Sequence, residues 1–166
     1  MFQINVQNKP VTRSGILSTV GSVYDPLGFL APFIASKTLC KKKHGWDEEI
    51  EHEDAKRWSE WLSGLEILSG FCIPRCIKPE GSEPTQTVQL HHFADASENG
   101  YATVSYIVMT NENNKKHYSF LMGKSRAAPL KHVTISRLEL TAAVVAVKMD
   151  KMLKQELQMP LQRSVF

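Results

Sequence analysis

Two segments of the sequence, each carrying one carboxylate, most constrain how the chain can fold. Residues 90–97 have the pattern of a β-strand that closes on an acid, Asp95. Residues 135–140 have the pattern of a helix opening, with Glu139 in its first turn. A strand followed by a helix, each presenting an acid, predicts an α+β domain in which the helix packs across the sheet.

The residues around these two segments extend the same pattern. Runs rich in β-branched and aromatic residues, separated by turn signals such as Asn99-Gly100, predict three antiparallel strands. A loop then leads to one long helix, and Pro160 ends the regular structure. The predicted strands span residues 87–94, 101–109 and 117–124, the helix spans about 137–157, and a tail spans 158–166.

The N-terminal half is predicted to be helical. Ser14 suits the N-cap of a first helix, and Pro32 suits the first turn of a second helix that reaches about Lys43. A third helix is predicted over residues 53–69, because its apolar residues recur at helical spacing. That stripe, which assigns both tryptophans to the core, consists of Trp58, Trp61, Leu62, Leu65 and Leu68.

A linker that contains proline and glycine divides the chain. Residues 79–84 follow a short predicted strand over 71–78 and precede the predicted sheet. The prediction is therefore an extended N-terminal segment, a helical region, a sheet domain and a tail. These four parts span residues 1–13, 14–80, 86–157 and 158–166.

Composition restricts the class of protein. Cys40, Cys72 and Cys76 are an odd set without paired Cys-x-x-Cys spacing, which argues against a disulfide framework and a structural zinc site. The sequence shows no signal-peptide pattern and no stretch long enough to cross a bilayer. We therefore expect an intracellular protein, cytoplasmic or nuclear, without a membrane partner. Residues 86–166 carry 10 Lys and Arg against 6 Asp and Glu, a balance that fits a polyanionic partner without identifying one.

Asp95 and Glu139 are the candidate catalytic residues. Cleavage of a phosphodiester with two metal ions requires converging carboxylates, and Mg²⁺ or Mn²⁺ prefers such oxygen ligands. Two other interpretations stay open. Ser136 and Glu139 match a capping box, in which the glutamate bonds back to the helix start, and Asp95 is a residue type that also caps turns.

No third ligand for this site is evident in the sequence. Asp150 lies on nearly the same helical face as Glu139 but about 16 Å further along, so the two cannot share a metal ion. His91 and His92 are neighbours on a strand and point to opposite faces, which excludes joint chelation. Four cations near the loop before the helix are candidates for phosphate contacts, with a solvated surface as the equal alternative: Lys124, Arg126, Lys131 and Arg137.

Seven stretches, in a fixed order along the chain, carry the most specific signal. They are Ile16–Gly28, Gly45–Glu48, Ile73–Arg75, His92–Ser97, Gly100–Tyr101, Lys124–Lys131 and Arg137–Leu140. As an ordered set they resemble the polyprotein of Pao/BEL-type LTR retrotransposons, in the region called the Pao retrotransposon peptidase family. The resemblance covers residues 13 to about 157.

This resemblance implies a reverse-transcriptase thumb or connection segment over residues 14–80 and the first half of an RNase H-like domain over 86–157. Asp95 and Glu139 match the family's first two metal carboxylates. The implied ancestral activity is Mg²⁺- or Mn²⁺-dependent cleavage of RNA in RNA–DNA hybrids. The family's later carboxylates and its polymerase motif have no match here, so we expect a truncated domain with little or no activity alone. A peptidase is not expected, since Asp95 lacks the Thr or Ser and the Gly that follow an aspartic-protease Asp.

Two other functions stay open: a co-opted module that binds nucleic acid or protein, and a retroelement remnant without function. A truncated sheet would also leave the backbone edge of the Asp95 strand unpaired. Such an edge is a template for pairing with another chain, so we expect oligomerisation or poor solubility through it.

Overall fold

The computed structural model describes residues 9–22, 42, 45–68, 76–78, 81 and 84–166. These residues fall into two compact units. One unit contains the described residues up to Leu68, and the other contains those from Cys76 onward. Within the described residues, no helix is both long enough and apolar enough to cross a membrane.

The first unit opens with helix α1 (Arg13–Ser22). The expectation that Ser14 is its N-cap is wrong, because Thr12 Oγ1 accepts a hydrogen bond from the Gly15 N–H at 3.2 Å. Ser14 instead lies inside the helix and donates to Asp47 Oδ1 at 2.7 Å. Thr12 therefore satisfies one of the backbone N–H groups that every helix start leaves unpaired.

The next helix among the described residues, α2 (His52–Leu68), confirms the prediction over 53–69. Trp58 is buried, packs with Ile16 and Ile50, and stacks on Trp61 with ring centroids 5.1 Å apart. The assignment of both tryptophans to a core is confirmed. The predicted helix from Pro32 lies outside the described residues, as does most of the predicted strand over 71–78, whose described part, 76–78, is not a strand.

The second unit is a four-stranded mixed sheet with a long helix, in the order β3-β2-β1-β4. All three predicted strands are present and pair antiparallel, confirming the α+β class. Each strand is longer than its alternation alone predicts, because the ladder continues beyond the apolar positions. The elements are β1 (Thr85–Ala96), β2 (Gly100–Asn111), β3 (Lys116–Ala127), α3 (Ile135–Glu156) and β4 (Arg163–Val165).

Strand β4 corrects the expectation of three strands and a tail over 158–166. It pairs parallel with β1, Gln89 opposite Arg163 and His91 opposite Val165. The β1 edge is therefore partly covered rather than fully open. Within the described residues, the part of that edge from His92 to Ala96 has no strand beside it, and oligomerisation through it stays a prediction.

Helix α3 covers one face of the sheet and runs antiparallel to β1. Leu153, near its C-terminus, packs in a cluster with Val88 and Leu90, whereas Asp150 contacts His92, further along β1. Earlier helix residues therefore lie toward the Asp95 end of the strand. The buried face of α3 consists of Leu138, Ala142, Ala146, Met149, Asp150 and Leu153.

The turn between β1 and β2 requires glycine at position 100. A Cβ on Gly100 would lie 2.7 Å from the Arg126 carbonyl oxygen of β3, closer than Cβ atoms approach backbone. We expect Gly100→Ala to lower the free energy of unfolding by about 1–3 kcal/mol, because the ladder must shift. Gly64→Ala, in the interior of α2 with nothing near the new Cβ, should instead stabilise its helix by about 0.5–1 kcal/mol. Urea unfolding of both variants measures these changes in unfolding free energy. A change of the same sign in both variants would contradict the prediction.

Candidate functional site

Asp95 lies near the end of β1, directly opposite Ala102 of β2. Its side chain is exposed. Side chains alternate along the strand, so Asp95 shares a sheet face with Phe93, whereas Leu90 and His92 point to the face that α3 covers. The described residues give this carboxylate no hydrogen bond or ion pair, so Asp95 does not cap a turn through a side-chain bond.

Glu139 is the fifth residue of α3 and is also exposed. The N-cap of this helix is Thr134, with an extended ψ of 149°, so Ser136 lies inside the helix. The capping-box interpretation is therefore wrong, and so is the placement of Glu139 in the first turn, since the helix begins two residues earlier than predicted. Within the described residues, no donor engages the Glu139 carboxylate.

The two carboxylates lie at the same end of the sheet, as the antiparallel course of α3 over β1 shows. The contact between Asp150 and His92 sets a common level for helix and strand. From that level, Glu139 is about 16 Å along the helix axis, and Asp95 is about 10 Å along the strand, in the same direction. Asp95 points away from the face that α3 covers, so the two acids lie toward the same end of the sheet but start from its opposite faces.

No cluster of three or more His, Cys, Asp or Glu side chains that would hold a metal ion occurs within the described residues. Asp150, the nearest acid in the sequence after Glu139, is committed elsewhere, since His92, Lys154 and Ser164 all bond to it. The conclusion that Asp150 does not share a metal with Glu139 therefore agrees with its contacts. The site offers two available carboxylates.

The four candidate phosphate-binding cations are all exposed, and none forms an ion pair with another described residue. Lys124 and Arg126 pair with Thr103 and Tyr101, at the end of the sheet where Asp95 lies. Ser125, which lies between them on β3, shares the sheet face of Asp95. Lys124 and Arg126 therefore project from the opposite face, the one that α3 covers. Lys131 lies in the β3–α3 loop and Arg137 in the first turn of α3.

An open groove of about 320 Å³ lies beside Asp95. Its walls include Phe93, Tyr106 and Phe120, which meet edge to face with ring centroids 6.1 Å and 5.6 Å apart. Asp95 and Lys124 are the only charged residues among its lining. The Asp95 carboxylate thus stands at the edge of an apolar surface.

A buried polar network on the other face of β1 was missed by sequence reasoning. His92 Nδ1 lies 2.7 Å from Ser105 Oγ, and His92 Nε2 lies 3.2 Å from Asp150 Oδ1. Burial lowers the pKa of His92 despite the opposing effect of Asp150. For Asp150, burial would raise the pKa, but the hydrogen bonds from Lys154, Ser164 and His92 together lower it.

One signal in the sequence pointed to this network. Asp150 falls on the apolar stripe of α3, between Met149 and Leu153, and a carboxylate on a buried face needs a partner. Its main partner, His92, lies 58 positions away along the chain, and no local pattern connects the two. That His91 and His92 point to opposite faces was predicted correctly, but the residue that His92 meets was not predicted.

Comparison with protein families gives a match over most of the chain. The family model of the Pao retrotransposon-like RNaseH-like domain matches residues 12–166, which includes both compact units and β4. A search of curated proteins finds no match. The family model does not identify residues 14–80 as a reverse-transcriptase thumb or connection, so that assignment stays a prediction.

Proposed function

Because this chain belongs to the Pao retrotransposon-like RNaseH-like domain family, we propose that Asp95 and Glu139 bind a divalent metal ion, Mg²⁺ or Mn²⁺. The substrate class is the RNA strand of an RNA–DNA hybrid. The observation that carries this proposal is the pair of exposed, unengaged carboxylates at one end of the sheet. In an ordinary surface, acids near Lys and Arg often form ion pairs, whereas these two are left available.

The donor set fits the metal. Mg²⁺ and Mn²⁺ are hard ions that take carboxylate oxygens and keep several waters, so two protein ligands on an open surface suit them. Neither histidine competes as a ligand, since His91 bonds to Gln89 and His92 is buried with Ser105 and Asp150. The site is therefore an oxygen site and does not suit Zn²⁺, which prefers nitrogen and sulfur.

The chain's own residues would bind and orient the hybrid. When bound, the metal would supply charge neutralisation at the scissile phosphate and an activated water. Lys124, Arg126, Lys131 and Arg137 would hold neighbouring phosphates, which positions the backbone without reading its sequence. Asp95 would stand beside the aromatic groove and Glu139 on the rigid helix α3.

Two carboxylates are fewer than two-metal cleavage uses, so we propose that the chain alone has little or no activity. Strand β4 runs parallel to β1 and toward the Asp95 end of the sheet. A further carboxylate brought along that edge, by another segment or another chain, would lie beside Asp95. Activity would then depend on that second contribution.

The test is cleavage of a labelled RNA–DNA hybrid in Mg²⁺ and in Mn²⁺, together with Mn²⁺ binding followed by electron paramagnetic resonance. We expect Asp95→Asn and Glu139→Gln each to weaken Mn²⁺ binding at least about tenfold, because each removes one of two anionic ligands. Glu112→Gln, the same change at an exposed acid of the β2–β3 turn, should leave binding unchanged. Equal Mn²⁺ binding by all four proteins would refute the metal site.

Binding of nucleic acid without cleavage is the second candidate function, favoured by the four exposed cations. Binding through phosphates weakens as salt rises, with a slope of about 0.9 per neutralised phosphate on B-form DNA. If this alone operates, Asp95→Asn binds hybrid as tightly as the parent, while Lys124→Gln and Arg126→Gln each reduce the slope by about 1. A salt-independent interaction would exclude it.

A further inference from the structure

Three elements of the second unit meet at one buried carboxylate, that of Asp150 in α3, and a fourth element, β2, joins them through His92. Its Oδ2 accepts from Lys154 Nζ at 2.8 Å, one turn along the helix. Its Oδ1 accepts from His92 Nε2 of β1 at 3.2 Å and, over a short distance, from Ser164 Oγ of β4. His92 Nδ1 is in turn 2.7 Å from Ser105 Oγ of β2.

Hydrogen-bond directions in this network follow from the charge of Asp150. An ionised carboxylate only accepts, so the Nε2 of His92 carries the proton. The Nδ1 of the neutral ring is then an acceptor, and the Ser105 hydroxyl donates to it. Ser105, His92 and Asp150 thus repeat the order of a hydrolase triad. Ser105 is fully buried, however, so no substrate reaches its hydroxyl and the network has a structural role.

Strand β4 is held by contacts beyond its own short ladder. It has only three residues, and a short parallel pairing is weak by itself. Just before it, the Gln162 N–H donates to the Val88 carbonyl at 2.9 Å. Beyond it, the Phe166 ring stacks on His92 with centroids 5.0 Å apart. Ser164 therefore contacts Asp150, and Phe166 contacts His92.

We propose that His92 and Asp150 form a clamp that holds β4 against β1 and that opens in mild acid when His92 takes up a proton. Protonation gives Nδ1 a hydrogen that Ser105 must then accept, and it places a cation in a buried site. Release of β4 would lengthen the unpaired edge of β1 by Gln89 to His91. The proposal stands whether or not Asp95 and Glu139 bind metal.

The charged groups around His92 favour or oppose the protonation that would release β4. From α3 it faces Asp150, which favours its protonation, and Lys154, which opposes it. On β1, the adjacent His91 also opposes protonation. Strand β2 presents only the Ser105 hydroxyl, and β4 presents Ser164, while Arg163 is exposed on the alternate side of β4. Burial outweighs the attraction of Asp150 and lowers the pKa of His92.

The direction of the pH effect follows from this lowered pKa. With β4 released, His92 loses the cover of the Phe166 ring and its pKa rises toward the ordinary value of about 6.5, whereas with β4 docked it stays neutral to lower pH. The released state therefore binds more protons below that pH, and docking of β4 weakens as pH falls. Asp150, whose pKa is also lowered, adds to the loss only at more acid pH, below its ordinary value.

Hydrogen exchange at the Gln162 amide, measured by NMR at pH 7.5 and pH 5.5, tests the clamp. One proton taken up on release lowers its protection factor by up to about tenfold over this range, while β2 amides keep theirs. His92→Gln should abolish the pH dependence, and His132→Gln, at an exposed histidine, should retain it. Should His92→Gln fail to fold, Ser164→Ala gives the second arm, with lower protection at both pH values.

Every outcome of the hydrogen-exchange experiment either supports or overturns the clamp. A fall confined to the Gln162 amide and absent in His92→Gln supports the clamp, as does lower protection of that amide alone in Ser164→Ala. Equal protection at both pH values in the parent protein overturns it, as does a pH dependence that survives in His92→Gln. A parallel fall in β2 amides would mean that acid unfolds the whole sheet, which also overturns a local release.

Discussion

Replacing Leu90 with alanine is expected to lower the free energy of unfolding of the sheet unit by about 3 kcal/mol. Leu90 is fully buried at the middle of β1, in one cluster with Val88, Ile107, Met109 and Leu153. The substitution removes three carbons from a site where strands on both sides and α3 above restrict collapse. The loss therefore combines the transfer free energy of those carbons with that of the cavity left behind.

The control for this prediction is the same chemical change at an exposed position. Leu140 of α3 is 66% exposed, and alanine is at least as good a helix former as leucine. Leu140→Ala should therefore change the unfolding free energy by less than about 0.5 kcal/mol. Both values come from urea denaturation followed by circular dichroism. If Leu90→Ala cost no more than Leu140→Ala, β1 would not be the centre of a packed core.

The meander and the long helix were predictable because their signals are local. Alternation from Val88 to His92 marks one buried face, and the Asn99-Gly100 turn fixes the first hairpin. The helix prediction over about 137–157 differs from α3 (Ile135–Glu156) only at its ends. Repeated apolar spacing over many residues outweighs any one misplaced boundary residue.

Strand β4 was not predictable because three residues carry no periodicity. Arg163 to Val165 become a strand only through pairing with β1, a partner more than seventy positions earlier in the printed sequence. The contact between His92 and Asp150 could not be predicted for the same reason. Sequence reasoning placed His92 on the strand face opposite to His91 and Asp150 on nearly the same helical face as Glu139, yet it had no means to connect His92 with Asp150.

The sequence motifs identified Asp95 and Glu139 as the candidate site. The structure leaves both carboxylates exposed, and their role as metal ligands stays a prediction. The capping box was the wrong alternative because Thr134, with its extended backbone, is the N-cap. A match to S-x-x-E cannot distinguish a helix that begins after Ser136 from one that begins earlier. Only the backbone conformation makes that distinction.

Enlarging Ala142 to leucine is expected to separate α3 from the sheet and to lower the free energy of unfolding by about 1–3 kcal/mol. Ala142 has no exposed surface, on the face of α3 that packs on β1 and β2. Three added carbons have no space there, so either the leucine adopts a strained rotamer or the helix moves outward. Thermal and urea denaturation would report the loss directly.

The same substitution tests whether close approach of α3 positions the candidate site. Glu139 precedes Ala142 by one helical turn, so an outward shift of the helix moves its carboxylate away from Asp95. We therefore expect Ala142→Leu to weaken Mn²⁺ binding as well as stability. Ala143→Leu is the matched control, because Ala143 is the next residue on the same helix and is exposed. It should change neither quantity. Loss of stability with unchanged Mn²⁺ binding would mean that α3 shifts only around residue 142. The position of Glu139 would then not depend on the small side chain at residue 142.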